Sequence, residues 1–118
     1  MKYVCLVYGE EKDLHALTPA GSAKLDADSL AYDRLLEQKG LLIVAQALQS
    51  VTSAKTVRRR KGKRLVTDGP FAETKEQLLG FVMIEAGNLE EALDIAAGIP
   101  LAEFGTIEVR AIYEIPGS

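Results

Sequence analysis

The chain has 118 residues, of which 47% are hydrophobic and 26% charged, and its formal net charge is −3. This length predicts one domain, residues 1–118, that buries roughly two-thirds of its unfolded surface and needs no disulfide or metal to form a core. The single cysteine, Cys5, excludes an internal disulfide and fits a reducing compartment. No apolar run reaches the ~18 residues of a membrane span, and Tyr3–Tyr8 is shorter than the ~7–15 residues of a signal-peptide core. We therefore expect a cytoplasmic protein without membrane association.

The first half of the sequence predicts two buried strands on either side of one long helix. Lys2–Tyr8 is apolar on both alternating faces, which is typical of a strand covered on both sides. A polar loop is expected over residues 10–17. The helix begins at Thr18-Pro19, a cap followed by a proline at the first helical position, and ends near Lys39. Leu41–Leu48 is the second strand.

The second half predicts a hairpin, a strand, a helix and a final strand. The hairpin turns at Lys61-Gly62, where glycine tolerates positive φ. The helix opens with Asn88 and Glu91, which have the spacing of a capping box. The predicted elements are a hairpin of Thr56–Arg60 and Lys63–Thr67, a strand at Gly80–Ala86, a helix from Leu89 to Gly98, and a strand at Thr106–Ile115.

The element order is β-α-β, a hairpin, and β-α-β. With the hairpin as an insertion, this is the split βαβ plan of ferredoxin-like folds, in the α+β class. Its helices cover one sheet face. Because the other face is also apolar, we expect a second copy of the chain to cover it in a homodimer.

One tetrapeptide, Asp68-Gly69-Pro70-Phe71, carries a family resemblance. With its flanks from Leu65 to Phe81 and the chain's opening and closing segments, it resembles the DGPF-domain branch of the YCII-related proteins over nearly the whole chain. The resemblance implies a dimeric α+β barrel, in which two ferredoxin-like units pack their sheet faces together. Some families with this architecture are enzymes acting on small organic molecules, but fold alone transfers no activity.

The chain departs from its relatives at two positions. Classical YCII-related proteins have a histidine after the Pro-Ala step that opens the first helix, and an aspartate before a proline near the end of the second. Here Pro19-Ala20 is followed by Gly21, and Pro100 is preceded by Ile99. The family's His-Asp acid-base chemistry therefore does not carry over, and the resemblance implies no particular reaction.

Several polar residues are candidates for a site. Asp68 either redirects the chain, as turn aspartates commonly do, or lines a cleft as acid, base or ligand group. Lys75 and Glu76 belong either to an exposed turn or to a cleft that holds an anionic substrate. The predicted ligand-binding residues are Tyr8, Gln49, Lys75, Glu76 and Arg110, with Asp68 as the candidate catalytic residue.

Other reactive residues have simpler interpretations. His15 is expected to be a solvated loop histidine, with proton transfer as the alternative. Glu10, Glu11 and Asp13 lack the spacing of a calcium loop. Cys5, in mid-strand among apolar residues, is expected to pack rather than react. We expect no cofactor and no metal site.

Six of the fourteen basic residues lie within Arg58–Arg64. The other eight accompany seventeen acidic residues, a balance of −9. A nucleic-acid role for this segment is the least favoured interpretation, because the chain is acidic, the segment has no aromatic residue, and strand alternation places successive arginines on opposite faces. We expect instead a solvated hairpin tip that discourages edge-to-edge aggregation.

The leading hypothesis is a homodimer that binds a small molecule in a cleft near Asp68, Lys75 and Tyr8, with an enzyme of unassigned reaction as one form of it. The first alternative is a non-catalytic accessory or sensor domain linked to sigma-factor regulation, which the absent His-Asp pair favours. The second is nucleic-acid binding through Arg58–Arg64.

Overall fold

A computed structural model describes residues 1–118 as a four-stranded sheet with helices on one face and a separate two-stranded ribbon. No helix combines the length and the apolar composition that crossing a bilayer requires. The strands are β1 (Lys2–Gly9), β2 (Leu42–Ala47), β3 (Lys55–Arg60), β4 (Lys63–Asp68), β5 (Gln77–Glu85) and β6 (Thr106–Ala111), and the helices are α1 (Glu11–His15), α2 (Pro19–Gln38) and α3 (Leu89–Ala97).

The main sheet has the strand order β2-β5-β1-β6, and every neighbouring pair is antiparallel. The crossover through α2 leaves a gap between β1 and β2, and β5 fills it. This order is compatible with a ferredoxin-like fold, and the α+β class predicted from the sequence is confirmed.

The core lies between the main sheet and the helices. Alternation along β1 points Tyr3, Cys5 and Val7 into this core, where all three are buried. From α3, three side chains join the core, whereas the twenty-residue α2 contributes only Leu36. α2 therefore packs far less closely on the sheet than α3 does.

The opposite face of the sheet, here called the open face, carries no helix. Its apolar residues alternate with the core residues and are only half-buried. Cα atoms span 19 Å in the thinnest direction, which accommodates a sheet and one helix layer at the usual spacing of about 10 Å. The apolar residues of the open face are Val4, Leu6, Tyr8, Val44, Phe81 and Met83, and the exposed polar residues Gln46, Glu108 and Arg110 share that face.

Both long helices begin where the sequence predicts. Thr18 Oγ1 accepts a hydrogen bond from the backbone N–H of Gly21 at 3.0 Å. Asn88 Oδ1 accepts one from the N–H of Glu91 at 2.9 Å, and Glu91 Oε2 accepts one from the N–H of Gly87 at 3.0 Å. The capping box thus forms, with its glutamate reaching one residue before the cap.

Three predicted boundaries are wrong, and the first is the start of β5, which lies at Gln77 rather than Gly80. Residues 10–17, expected as a loop, contain the short helix α1, whose acidic residue Glu11 in the first turn suits the positive helix end. The final strand stops at Ala111 rather than Ile115. Its partner β1 begins at Lys2, and after the N–H of Ile112 bonds the Lys2 carbonyl no backbone remains for pairing.

Between β2 and β5 the chain leaves the main sheet and forms the basic ribbon, residues 55–68, in which β3 pairs only with β4. Its turn residues Lys61 and Gly62 have φ values of 51° and 75°, the positive pair that a two-residue hairpin turn of this kind requires. A hydrogen bond from the N–H of Gly69 to the carbonyl of Ala54, at 2.7 Å, closes the base.

Candidate functional site

A cleft of about 690 Å³ lies between α2 and the β2 side of the sheet, on the helix-covered face. This volume lies within the range typical of small-molecule sites, roughly 300–1,000 Å³. Fourteen of its 24 lining residues are hydrophobic. The cleft is therefore a largely apolar space with a limited number of polar groups, the usual composition of a ligand pocket.

Small residues form the floor of the cleft. Ala47 on β2 is paired with Gly80 on β5, Ala45 lies two residues before Ala47 on the same face, and none of the three fills the space beneath α2. A Cβ on Gly80 would lie 2.5 Å from the backbone oxygen of Gln46, so only glycine allows the two strands to approach this closely. The cleft is therefore open for two reasons: the strands beneath it carry small side chains, and α2 does not pack closely against them.

The wall formed by α2 presents a polar stripe. Ser22, Asp26, Ser29 and Asp33 recur at spacings of four, three and four residues, which places them along one side of the helix, and all four line the cleft. Burial raises the pKa of the Asp33 carboxyl above its ordinary value. No hydrogen bond or ion pair engages its side chain, so Asp33 is available to a ligand.

A second wall comes from α1, whose position is fixed by Glu11. The Glu11 carboxylate accepts hydrogen bonds from the backbone N–H of Val51 and from Ser50 Oγ, both at 2.8 Å, and the Glu11 N–H donates to Gln77 Oε1 at 2.9 Å. The bond from Val51 is the main reason that the pKa of Glu11 is lowered. This bonding presents His15, at the end of α1, to the cleft.

The residues predicted to form a site are placed elsewhere. Asp68 ends the basic ribbon with its side chain 89% exposed, in an ion pair with Lys55 at 2.6 Å. The open face includes Tyr8, and Arg110 pairs there with Val4 at the β6 edge. Gln49 is exposed after β2. None of the six predicted residues lines the cleft.

Lys75 lies near a different group, Glu10, which directly follows β1. Glu10 Oε1 is buried without a hydrogen-bond partner, and the Lys75 Nζ approaches it only to 4.0 Å. Lys12 Nζ lies 3.5 Å from the other oxygen. Glu76 accepts a hydrogen bond at its backbone oxygen from Thr74 Oγ1. Lys75 therefore lies near Glu10, which is two residues after Tyr8 in the chain, and both charged groups are outside the cleft.

The remaining reactive groups have structural roles or none. Cys5 is fully buried, and burial raises the pKa of its thiol to about 11, so it stays protonated at neutral pH. Gly21 and Ile99 occupy the positions of the classical histidine and aspartate, and Ile99 is part of the core. No group of three His, Cys, Asp or Glu side chains is close enough to hold a metal ion.

Sequence reasoning missed Asp26 and Asp33. The signal was present in the spacing of Ser22, Asp26, Ser29 and Asp33, but a polar stripe at helical spacing usually faces solvent. What distinguishes this stripe is that small residues on the sheet hold no side chain against it. That is a tertiary property, which no helix pattern contains.

Comparison with known proteins gives two matches. The family model of the YCII-related domain matches residues 1–116. An uncharacterised protein from Rhizobium meliloti (strain 1021) is 40% identical over 121 aligned residues, which cover 99% of this chain and 97% of that protein.

Proposed function

This chain belongs to the YCII-related family, and we propose that it binds a small, largely apolar molecule in the cleft between α2 and the sheet. One observation carries the proposal: a helix of twenty residues buries a single side chain and leaves a space of about 690 Å³ over an apolar floor. Binding of an apolar ligand in a cavity of this size is favourable, because the ligand and the cavity wall both remove apolar surface from water.

The charges around the cleft indicate the kind of polar group that a ligand carries. The charged residues of its lining are Glu11, Asp26 and Asp33, and no lysine or arginine is among them. A carboxylate or phosphate would meet three like charges there, with only His15 and serine hydroxyls as favourable partners, whereas an amine or a neutral hydrogen-bond donor would meet acceptors. For this cleft, the charges favour an apolar ligand with a cationic or neutral donor group over the anionic substrate that Lys75 suggested.

The proposal includes a homodimer formed through the open face. The chain's accessible surface of 8443 Å² exceeds the about 6,300 Å² expected of a compact monomer of 12.8 kDa. The exposed basic ribbon and the open face both contribute to this excess, which is larger than the about 800 Å² that each partner buries in a standard interface. Its radius of gyration of 16.3 Å also exceeds the expected value of about 13.5 Å. A second copy is the natural cover because a two-fold axis brings the same apolar face to itself.

We assign no reaction to the cleft. A protein that binds the ligand without converting it would be the alternative form of this proposal, a non-catalytic accessory or sensor domain linked to sigma-factor regulation. Both oxygens of Glu11 are engaged, which favours a structural role for that carboxylate. Asp33, with its raised pKa, is the acid-base candidate in the cleft. A reducing, cytoplasmic setting belongs to the same proposal and is supported by the single free cysteine, Cys5.

The cleft is tested by a thermal-shift screen of metabolites on three proteins: the wild type, Ala47→Leu and Ala27→Leu. Leucine at Ala47 fills the floor, while Ala27 is exposed on α2 and lies outside the cleft lining. Compounds that stabilise the wild type should stabilise Ala27→Leu equally and Ala47→Leu not at all. Equal stabilisation of all three would place the ligand elsewhere.

The dimer has its own test by light scattering, which should give twice the chain mass of 12.8 kDa. Leu6→Lys adds a charge to the centre of the open face and should halve the mass. The matched variant Leu35→Lys, at an exposed position of α2, should leave it unchanged. A monomeric wild type, or a dimeric Leu6→Lys, would contradict the open-face interface.

A further inference from the structure

We infer that the basic ribbon is a binding site for double-stranded nucleic acid and enters a groove of the duplex. This inference goes beyond the proposed small-molecule function and is independent of the cleft. It concerns the six cations at the ribbon's outer end: Arg58, Arg59, Arg60, Lys61, Lys63 and Arg64.

These cations have no acidic partners. The ribbon's ion pair, Lys55 with Asp68, lies at its base, and residues 56–67 contain no aspartate or glutamate. None of the six takes part in any ion pair of the structure. Arg60 instead donates a hydrogen bond from Nη1 to the backbone oxygen of Arg59 at 3.0 Å. The charge of the ribbon's outer end is therefore fully available to an anionic partner.

The register of the ribbon places like charges opposite each other on its two strands. Arg59 stands directly opposite Arg64, and Arg60 directly opposite Lys63. Like charges at paired positions destabilise a hairpin. An isolated solvated tip gains nothing from this arrangement, whereas a polyanion that contacts both residues of a pair removes the repulsion.

The distribution of charge favours a groove over a flat surface. The pair Arg59–Arg64 lies on one face of the ribbon, and Arg58 and the pair Arg60–Lys63 lie on the other. A flat acidic protein surface could contact only one of these faces. The two phosphate walls of a groove can contact both, and the major groove, about 12 Å wide, accepts a two-stranded ribbon.

Two further features restrict the nucleic acid to a duplex and the contact to the ribbon. Residues 55–68 contain no aromatic side chain, so single-stranded bases have nothing to stack on. Outside residues 58–64 the chain carries seventeen acidic and eight basic residues, and this balance of −9 disfavours phosphate contacts on the remaining surface.

The test measures fluorescence anisotropy of a labelled 20-base-pair DNA duplex of mixed sequence against salt concentration. If all six cations of a ribbon contact phosphates, the slope of log affinity against log salt is about −5, which is about a thousandfold loss between 50 and 200 mM salt. The variant Arg59→Gln/Arg64→Gln should reduce that loss to about a hundredfold and weaken binding at 50 mM salt. The control Arg34→Gln/Lys39→Gln removes the same charge from α2 and its end, and should bind the duplex as the wild type does.

Thermal unfolding of the same variants separates this role from a purely structural one. Because Arg59 and Arg64 repel each other, Arg59→Gln/Arg64→Gln should unfold at the wild-type temperature or above it while binding the duplex less well. No duplex binding at 20 mM salt would overturn the inference. Equal affinity for a single strand of the same length would contradict insertion into a groove. Equally effective competition by polyglutamate would do the same, because binding would then depend on negative charge and not on the shape of a duplex.

Discussion

α2 and α3 lie on the same face of the sheet but relate to it in opposite ways. The nine-residue α3 buries Ala92, Ile95 and Ala96, whereas the twenty-residue α2 buries only Leu36 and leaves Leu30 54% exposed. α3 therefore contributes mainly to stability, and α2 stands away from the sheet and encloses a cleft. The comparison indicates that the loosely packed part of a small fold is where a binding function is to be sought.

The largest expected effect is a difference in the free energy of unfolding between two variants, one on α3 and one on α2. Ile95→Ala removes a buried side chain from the core and should lower the free energy of unfolding by about 2–4 kcal/mol. Leu30→Ala, on the cleft side of α2, should cost less than about 0.5 kcal/mol in the ligand-free protein. Urea unfolding measures both. A large loss in Leu30→Ala would mean that α2 closes onto the sheet, and the comparison would fail.

A smaller effect concerns the contact between the two helices. Tyr32 of α2 donates its hydroxyl hydrogen bond to the backbone oxygen of Ile95 at 2.6 Å, and a Cβ on Gly98 would lie within 2.6 Å of the Tyr32 ring carbon that bears this hydroxyl. Gly98→Ala should therefore displace the tyrosine and cost about 1–3 kcal/mol.

The double variant Gly98→Ala/Tyr32→Leu distinguishes this clash from a general effect of alanine at the end of α3. Without the ring, alanine has nothing to displace, so the loss in the double variant should be smaller than the sum of the two single losses. Additive losses would show that Tyr32 and Gly98 are not coupled.

The smallest effect depends on pH and concerns α1, the other wall of the cleft. The pKa of Glu11 is lowered by the hydrogen bond from Val51, so its carboxylate stabilises the fold above its ordinary pKa of 4.5, and this stabilisation is lost as the pH falls through the lower, folded value. Glu11→Gln should cost about 1 kcal/mol or less at pH 7, because the carboxylate is only partly buried and solvent screens its charge.

Unfolding curves of the wild type and Glu11→Gln between pH 7 and 3 measure this difference. It should narrow below pH 4.5 as the wild-type carboxylate becomes protonated. A difference that stays constant across this range would show that the hydrogen bonds of Glu11, and not its charge, fix α1.

The helix starts were predictable because their signals are local. Thr18 and Asn88 cap the helices through bonds to residues three positions ahead, which the sequence specifies directly. The end of β6 was not predictable in this way. Residues 112–115 have a strand composition, but the length of β6 is set by β1, a partner about a hundred residues away in the chain.

The cleft shows the same limit more strongly. Its polar groups come from α1 and α2 and its floor from β2 and β5, and no motif in the sequence connects these segments. The conspicuous motif around Asp68 instead ends the basic ribbon, where the aspartate pairs with Lys55. A sequence signature identified the family here, while the cleft depends on small residues, Ala45, Ala47 and Gly80, that carry no signature at all.

The central claim is the location of the ligand, and amide chemical shifts of the ¹⁵N-labelled protein test it most directly. The account predicts that titration with the most strongly stabilising compound from the screen will shift the amides of Asp33, Ala45 and Ala47, with little change at Tyr8, Asp68 and Lys75. Shifts concentrated at Tyr8, Asp68 and Lys75 would contradict it and place the site outside the cleft.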